Sequence, residues 1–237
     1  MWLLRTILIR IVLSVIQKLS KELMGHPYQG LGALFRIAKA RTKIIGAENL
    51  PSNGPFIIAI NHMYSTWGLV FVIARLYSYV HCPVYTVITE RSCKLLGEKT
   101  TKGLGLIPDN RHALEKSFSL LKQGKVIALV VTGEKDKLDR NGFLISKPRI
   151  GIGFLSKAAP VVPVAFVTPC LGKSLERAGE FIGLAKFLAL KQKIKVKIGR
   201  PLYFPKEEKI TREAAKKRAE AILKKVSSLV AELYNST

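Results

Sequence analysis

Beyond residue 40, short apolar runs alternate with stretches of helical periodicity. Five of the runs are rich in β-branched residues and bounded by Gly, Pro or charge, and they predict strands at Phe56–Ile60, Val84–Ile88, Val126–Val131, Val161–Phe166 and Lys193–Ile198. Between two of them, Leu114, Phe118 and Leu121 recur at helical spacing before Gly124, which predicts a helix that ends there. This alternation predicts an α/β fold with a mostly parallel central sheet flanked by helices.

Two patterns near the C-terminus predict how the fold is completed. In "KIKVKIG", lysines alternate with apolar residues, which predicts a half-exposed strand, and the lysines suit a sheet edge because they discourage further pairing. Residues 211–234 carry apolar side chains at helical spacing and predict a helix that packs on the sheet.

Two stretches rich in Pro, Gly and charge, residues 97–111 and 133–149, predict long connections. We expect both at the carboxyl ends of the strands, where sites in open α/β sheets are built.

The first sixteen residues are apolar except for two arginines, a threonine and a serine, so the segment is too short and too interrupted for an ordinary spanning helix. It predicts an interfacial helix whose basic residues contact lipid phosphates. An amphipathic core helix and a secretory signal are the alternatives, although no small-residue cleavage site follows. We therefore expect a membrane-associating helical segment at 1–40 and an α/β domain at 41–237.

The charge of the chain limits the classes of binding partner, and its cysteine content indicates the cellular compartment. The 237 residues include 39 Lys and Arg against 16 Asp and Glu, a net charge of +23 that favours anionic lipid, phosphorylated substrates or nucleic acid. Nucleic acid is disfavoured because no recognition motif or interleaved stacking aromatic is present. Cys82, Cys93 and Cys170 lack metal-ligand spacing and lie in apolar stretches, which predicts buried, reduced thiols in a cytosol-facing protein.

His62 is the main candidate for chemistry. It follows the apolar run Phe56–Ile60 and Asn61, so its ring is expected at the end of a strand. An imidazole, with an unperturbed pKa of about 6.5, can take a proton from a hydroxyl. A carboxylate normally orients such a ring and stabilises its cation, but Trp67 and not an acid follows.

Other polar residues give weaker signals. His81 and His112 have no partners at metal-ligand spacing, so no metal site is predicted and both are expected at the surface or at a cap. Ser65 and Thr66 would be nucleophiles only if a base and its orienter converged on them.

Three blocks, in this order, carry a resemblance: "NLPSNGPFIIAINH", "GLGLIPDNR" and "APVVPVAF". Together they resemble the glycerolipid acyltransferase family, in which the PlsC-type lysophosphatidic acid acyltransferases are the bacterial representatives. The resemblance implies a membrane-associated enzyme that moves an acyl group from acyl-CoA or acyl carrier protein to a glycerophosphate hydroxyl. It implies no metal and no cofactor beyond that donor.

The first family block is Asn-His, four residues and then Asp, with the His as base and the Asp as its orienter. Asn61 and His62 match, whereas Trp67 stands at the Asp position. Loss of such a carboxylate lowers turnover about 10⁴-fold in serine proteases. The candidates for a replacement acid are Glu134, Asp136 and Asp109. A backbone carbonyl could also hold the ring, and Trp67 could fill the gap or line an acyl channel.

The second block resembles the family's phosphate-binding motif, Gly-x-Ile-x-x-x-Arg. It is matched by Gly105, Ile107 and Arg111, and a guanidinium suits bidentate phosphate binding.

The third block departs from the family's Pro-Glu-Gly-Thr-Arg. Thr132 stands at the Glu position, Gly133 at the Gly, Glu134 at the Thr and Lys135 at the Arg. Lys135 keeps a positive charge without the planar fork of Arg. A one-residue slip would match Glu134 to the family Glu but would place Lys135 at the glycine of a tight turn.

The fourth block includes Pro163 within a buried strand that shapes the site. The sequence thus predicts a monotopic 1-acylglycerol-3-phosphate O-acyltransferase on the cytoplasmic face of a membrane. Its partners would be an anionic membrane surface, a lysophospholipid acceptor and an acyl-CoA or acyl carrier protein donor. The alternative is a catalytically degenerate relative that binds lipid or acyl carrier without turnover.

Overall fold

The apolar runs form the centre of a seven-stranded sheet in the computed structural model, which describes residues 38–63, 66–80, 82–132, 136–168 and 193–236. The predicted membrane helix and Cys170 lie outside the described residues. The strands are β1 Thr42–Ile45, β2 Phe56–Ile60, β3 Val84–Thr89, β4 Leu106–Asp109, β5 Val126–Val130, β6 Val161–Val167 and β7 Ile194–Ile198.

The strand order is β1-β7-β6-β2-β5-β3-β4. Every neighbouring pair is parallel except β6 and β7, which run antiparallel. The predicted α/β class and mostly parallel sheet are therefore confirmed. All five residues of β2 are buried because this strand has sheet neighbours on both sides and packing on both faces.

The described helices flank this sheet. They are α1 Thr66–Tyr77, α2 Glu90–Leu96, α3 Glu98–Gly103, α4 Ala113–Lys122, α5 Ile150–Leu155 and α6 Arg212–Asn235. The predicted C-terminal helix is α6, which packs on β6, β7 and α5. It begins at Thr211, whose hydroxyl accepts from the backbone N–H of Ala214 at 3.1 Å. No described helix combines the length and the apolar character that a bilayer crossing requires.

Two sequence predictions are wrong. The stretch 97–111 is not one long connection, because it contains α3 and β4. The lysine-alternating strand β7 is not at the sheet edge, because β1 pairs with it and covers that side. The predicted half exposure of this strand is confirmed, because its two lysines are half-buried between buried apolar residues, and Lys197 reaches Glu232 on α6.

The described cysteines, Cys82 and Cys93, are free thiols, but the prediction that both are buried is wrong for Cys82, which is half-buried. Cys93 is buried, and desolvation raises the pKa of its thiol.

Candidate functional site

A side-chain amide fixes the point at which the chain leaves β2. Asn61 is fully buried at the end of this strand. Its Nδ2 donates to the carbonyl of Phe166 at 3.1 Å, and its Oδ1 accepts from the N–H of the same residue at 2.8 Å. Because both ends of the amide are bonded to β6, the backbone of the next residue, His62, is held at the carboxyl edge of the sheet.

The neighbouring strand β5 brings an acid to this point. Two residues after β5, Thr132 is buried, and Asp136 follows with only 1% of its surface exposed. The N–H of His62 donates to Asp136 Oδ2 at 2.5 Å, and the N–H of Asp136 donates to the His62 carbonyl at 2.9 Å. The hydroxyl of Thr132 donates to Asp136 Oδ1 at 2.7 Å. Two backbone segments 74 residues apart are therefore locked together around one carboxyl group.

The electrostatics of Asp136 are set by opposing effects. Burial raises the pKa of its carboxyl above the usual 3.8, because the ion loses its hydration. Hydrogen bonds from Thr132 and from the His62 backbone, the positive charge of His62 and the Asn61 side chain each lower that pKa in part. Asp136 therefore binds the backbone N–H of His62, and its carboxylate also interacts with the charge of the imidazole.

The other residues of the first and third blocks are placed less completely. Trp67 is the second residue of α1, at the start of the helix that follows His62. Gly133, Glu134 and Lys135 lie outside the described residues, as does His81, so the roles predicted for them remain predictions.

Asp109, the third candidate acid, lies elsewhere along the same edge. It ends β4, which is three strand positions from β2, or roughly 14 Å at the usual strand spacing. Its carboxylate pairs with the guanidinium of Arg149. The structure therefore brings Asp136 to His62, whereas Asp109 joins a second, cationic part of the edge.

Arg149 connects these two parts. Its N–H donates to the carbonyl of Val131 at 2.8 Å, directly after β5, while its side chain reaches Asp109 at the end of β4. Arg149 therefore extends from β5 to β4 across the carboxyl end of β3, which lies between those strands. With 41% of its side chain exposed, it presents positive charge along the edge.

Arg111 lies two residues after Asp109 and is exposed. Its Nε donates to Nε2 of His112 at 3.0 Å, and this histidine precedes α4 as its cap. The preceding motif residues have structural roles. Gly105 adopts a φ of +62°, and its carbonyl accepts from β3 at 3.0 Å, while Ile107 is buried in β4.

Pro163 of the fourth block lies in β6 opposite Ala59 of β2. Its carbonyl accepts from the N–H of Gly199 at 2.8 Å. Among the residues that the structure describes, no three His, Cys, Asp or Glu side chains converge on a metal position.

No family model and no curated protein matches this sequence. Among solved structures, it is similar to the crystal structure of the 1-acyl-sn-glycerophosphate (LPA) acyltransferase PlsC from Thermotoga maritima. The TM-score is 0.55 at 17% sequence identity, and the match covers 97% of this chain and 98% of that chain. The chain shares the PlsC fold.

This PlsC fold agrees with the resemblance carried by the three sequence blocks, at the level of architecture. Thr132 and Arg149 contribute to the candidate site, although the sequence alone assigned neither of them a role there. Thr132 was noted only as standing where the family has Glu, yet its hydroxyl holds Asp136. Arg149 ends the charged stretch 133–149, for which the sequence predicts only a long connection, yet it bridges two strand ends. The sequence signal that could have identified them is their position, because Thr132 and Arg149 stand at the two ends of the charged connection that follows β5.

Proposed function

We propose that the chain is a glycerolipid acyltransferase that transfers a fatty acyl group from a thioester to the free hydroxyl of a lysophosphatidic acid-like acceptor. One observation carries the proposal. The buried carboxyl of Asp136 accepts a hydrogen bond from the backbone N–H of His62 at the carboxyl edge of the sheet. This acid directly follows the third block and does not stand at position 67, where the family has its Asp. The PlsC fold and the resemblance of the three blocks support the same reaction.

In the proposed reaction, His62 takes the proton of the acceptor hydroxyl as that oxygen attacks the thioester carbonyl. The carbon–sulfur bond then breaks, and the thiolate takes a proton from the imidazolium, so an ester and a free thiol are formed. Asp136 favours the imidazolium through its negative charge and holds the backbone of His62. The mechanism requires neither a metal nor an acyl-enzyme.

The acceptor phosphate would bind along the cationic edge. Arg149 pairs with Asp109, Arg111 follows Asp109 by two residues in the sequence, and Lys135 directly precedes Asp136 in the sequence. Guanidinium groups bind phosphate oxygens through two parallel N–H bonds, so an arginine pair can fix the headgroup and thereby the hydroxyl. Arg149 thus joins the two residues that the sequence assigned to this role.

The membrane assignments belong to the same proposal. We place the protein on the cytoplasmic face of a membrane, with residues 1–40 as its interfacial segment and an acyl-CoA or acyl carrier protein as donor. The net charge of +23 supports an anionic surface as partner.

A second function, binding of lipid or acyl carrier without turnover, is favoured by one observation. Burial raises the pKa of Asp136, and a neutral acid would not stabilise an imidazolium. With Trp67 at the family's Asp position, such a site would keep the fold and the cationic edge but not the chemistry.

Turnover by the purified full chain separates the two functions. We expect labelled acyl thioester and lysophosphatidic acid to give phosphatidic acid, and His62→Ala to abolish the product. Lys122→Ala is the control and should retain activity, because Lys122 is exposed at the C-terminal end of α4, close before the start of β5 and outside the proposed catalytic and phosphate-binding residues. Asp136→Asn should reduce turnover by up to about 10⁴-fold, the loss caused by replacing a triad carboxylate.

Absence of product with every donor and chain length would retire the enzymatic proposal in favour of binding alone. Product that persists in His62→Ala would remove His62 from the mechanism. The rate of the Trp67→Asp variant tests which acid is the partner of His62. A lower rate in this variant would support Asp136 as the working partner, whereas a gain of orders of magnitude would indicate that the native site has lost its family acid.

A further inference from the structure

Residues 137–147, here termed the docking loop, present large apolar side chains to solvent. Phe143 is 43% exposed and Ile145 is 62% exposed, while Leu144 between them is buried in the core. This alternation is that of an extended strand, in which every second side chain lies on the same face. Phe143 and Ile145 therefore share an outward face that the fold itself does not cover.

The docking loop is held in one shape by its own hydrogen bonds. The N–H of Ile145 donates to the carbonyl of Lys137 at 3.0 Å, and that of Asp139 donates to the carbonyl of Phe143 at 2.9 Å. Asp139 Oδ1 in turn accepts from the N–H groups of Asn141 at 2.9 Å and Phe143 at 2.8 Å. The outward face is therefore preorganised.

The same loop is fastened to α6. The N–H of Leu144 donates to the buried hydroxyl of Ser227 at 2.8 Å. At Gly142, where φ is +81°, an added Cβ would lie 2.8 Å from Tyr234 of α6. Because the loop is anchored to a long helix, a surface bound by Phe143 and Ile145 would hold the whole domain in a fixed orientation.

Cations surround the apolar pair. Lys137, Arg140 and Lys147 are exposed, and none of them forms an ion pair with a described residue. The one acid of the loop, Asp139, is engaged with backbone N–H groups. The loop thus combines apolar side chains with net positive charge, the composition typical of elements that lie in the interface of an anionic membrane.

We propose that the docking loop is a second membrane-contacting element, in which Phe143 and Ile145 enter the acyl boundary of an anionic bilayer while Lys137, Arg140 and Lys147 contact lipid phosphates. The contact requires neither turnover nor a contribution from residues 1–16. It fixes the orientation of the carboxyl edge of the sheet toward the bilayer, because Asp136 directly precedes the loop.

Depth-dependent fluorescence tests the insertion even if another segment also binds lipid. Phe143→Trp is compared with wild type on vesicles that contain phosphatidylglycerol brominated along its acyl chains. We expect quenching in excess of that from the native Trp2 and Trp67. Tyr203→Trp, at a position 78% exposed and outside the loop, is the matched control and should show no excess. Equal quenching of the two variants on bound vesicles would overturn the proposal.

Vesicle partition tests the apolar and cationic parts separately. Phe143→Gln/Ile145→Gln should weaken binding by at least about tenfold, because two apolar side chains no longer enter the lipid. Lys137→Gln/Arg140→Gln/Lys147→Gln should weaken it by about fivefold per charge on anionic vesicles, with little change on phosphatidylcholine.

The charge control removes three exposed lysines outside the loop, Lys206, Lys209 and Lys217. If it weakens binding as much as the loop variant, the effect is one of net charge and the docking assignment fails. Sedimentation of the full chain without lipid tests whether a second copy of the chain, and not a membrane, binds the loop. Self-association that Phe143→Gln/Ile145→Gln abolishes would make the loop a contact between copies and would overturn membrane docking.

Discussion

Asp136 combines a buried carboxyl with hydrogen bonds to the backbone of His62 and the hydroxyl of Thr132. Burial makes the ion costly, whereas the hydrogen bonds and the nearby imidazole favour it. At the scale of one residue, the balance of these effects decides whether the site holds a charged partner for the general base or a neutral hydrogen-bond donor.

The pH dependence of folding stability measures this balance. Since burial raises the pKa of Asp136 in the folded chain, its contribution to stability is fully present below the unfolded value near 3.8 and is lost as pH rises through the folded pKa. Asp136→Asn does not titrate. The stability of the variant relative to wild type should therefore increase as pH rises from about 4, the ordinary range of an Asp carboxyl, toward neutrality.

Chemical denaturation at a series of pH values gives this difference. Loss of the packing and hydrogen bonds that the neutral carboxyl also makes lowers the stability of the variant at every pH, so only the slope of the difference with pH is diagnostic. A relative stability that decreases with pH would show that the hydrogen bonds and the His62 charge outweigh burial. Ser119→Ala, an exposed change on α4 that removes no titratable group, should show no such slope.

At the scale of elements, the sequence predicts the central strands well and the peripheral ones poorly. β2, β5 and β6 are buried throughout or nearly so and read as continuous apolar runs. β1 and β4 have four residues each, and β4 includes a proline and an aspartate. Neither strand is therefore long or regular enough for an alternation of apolar and polar residues to be recognised in the sequence. The position of β7 beside β1 depends on a pairing that no local pattern records.

The candidate site divides in the same way. His62 was predictable because a strand end is a local feature of the sequence. Its contact with Asp136 joins residues 74 apart, and three acids were candidates until the strand order placed β5 beside β2. The role of Arg149 likewise depends on β4 and β5 lying on either side of β3.

The crossing of α5 and α6 depends on one glycine. A Cβ added at Gly153 would lie 1.8 Å from the carbonyl oxygen of Ala215, a backbone atom of α6 that cannot move alone. Gly153→Ala should therefore destabilise the chain by about 1–3 kcal/mol, the usual range for overpacking, despite the better helix propensity of Ala. Thermal and denaturant unfolding measure the change.

Gly151 in the same helix provides the control, because an added Cβ there meets nothing within 4 Å. Gly151→Ala should increase the free energy of unfolding by up to about 1 kcal/mol through helix propensity alone. Equal effects of the two substitutions would contradict the close packing of α5 against α6.

At the scale of the whole molecule, the excess of 39 basic over 16 acidic residues repels itself in the folded state. Exposed pairs such as Lys94–Glu90 and Lys102–Glu98 join side chains one helical turn apart and offset little of this repulsion. The same charge suits a protein that works on an anionic surface, where lipid phosphates supply the missing counter-charge.

This repulsion predicts that salt stabilises the folded chain. Raising NaCl from about 0.01 to 0.1 M shortens the screening length from about 30 to 10 Å, so that repulsion between more distant like charges is largely screened. We therefore expect Tm at pH 7 to rise with NaCl, and to rise more steeply at pH 4, where protonation of carboxylates increases the net positive charge.

Anionic vesicles should raise Tm at low salt, and this gain should fade as salt is added, because screening weakens both repulsion and binding. A Tm that falls with salt would mean that favourable ion pairs outweigh the charge excess.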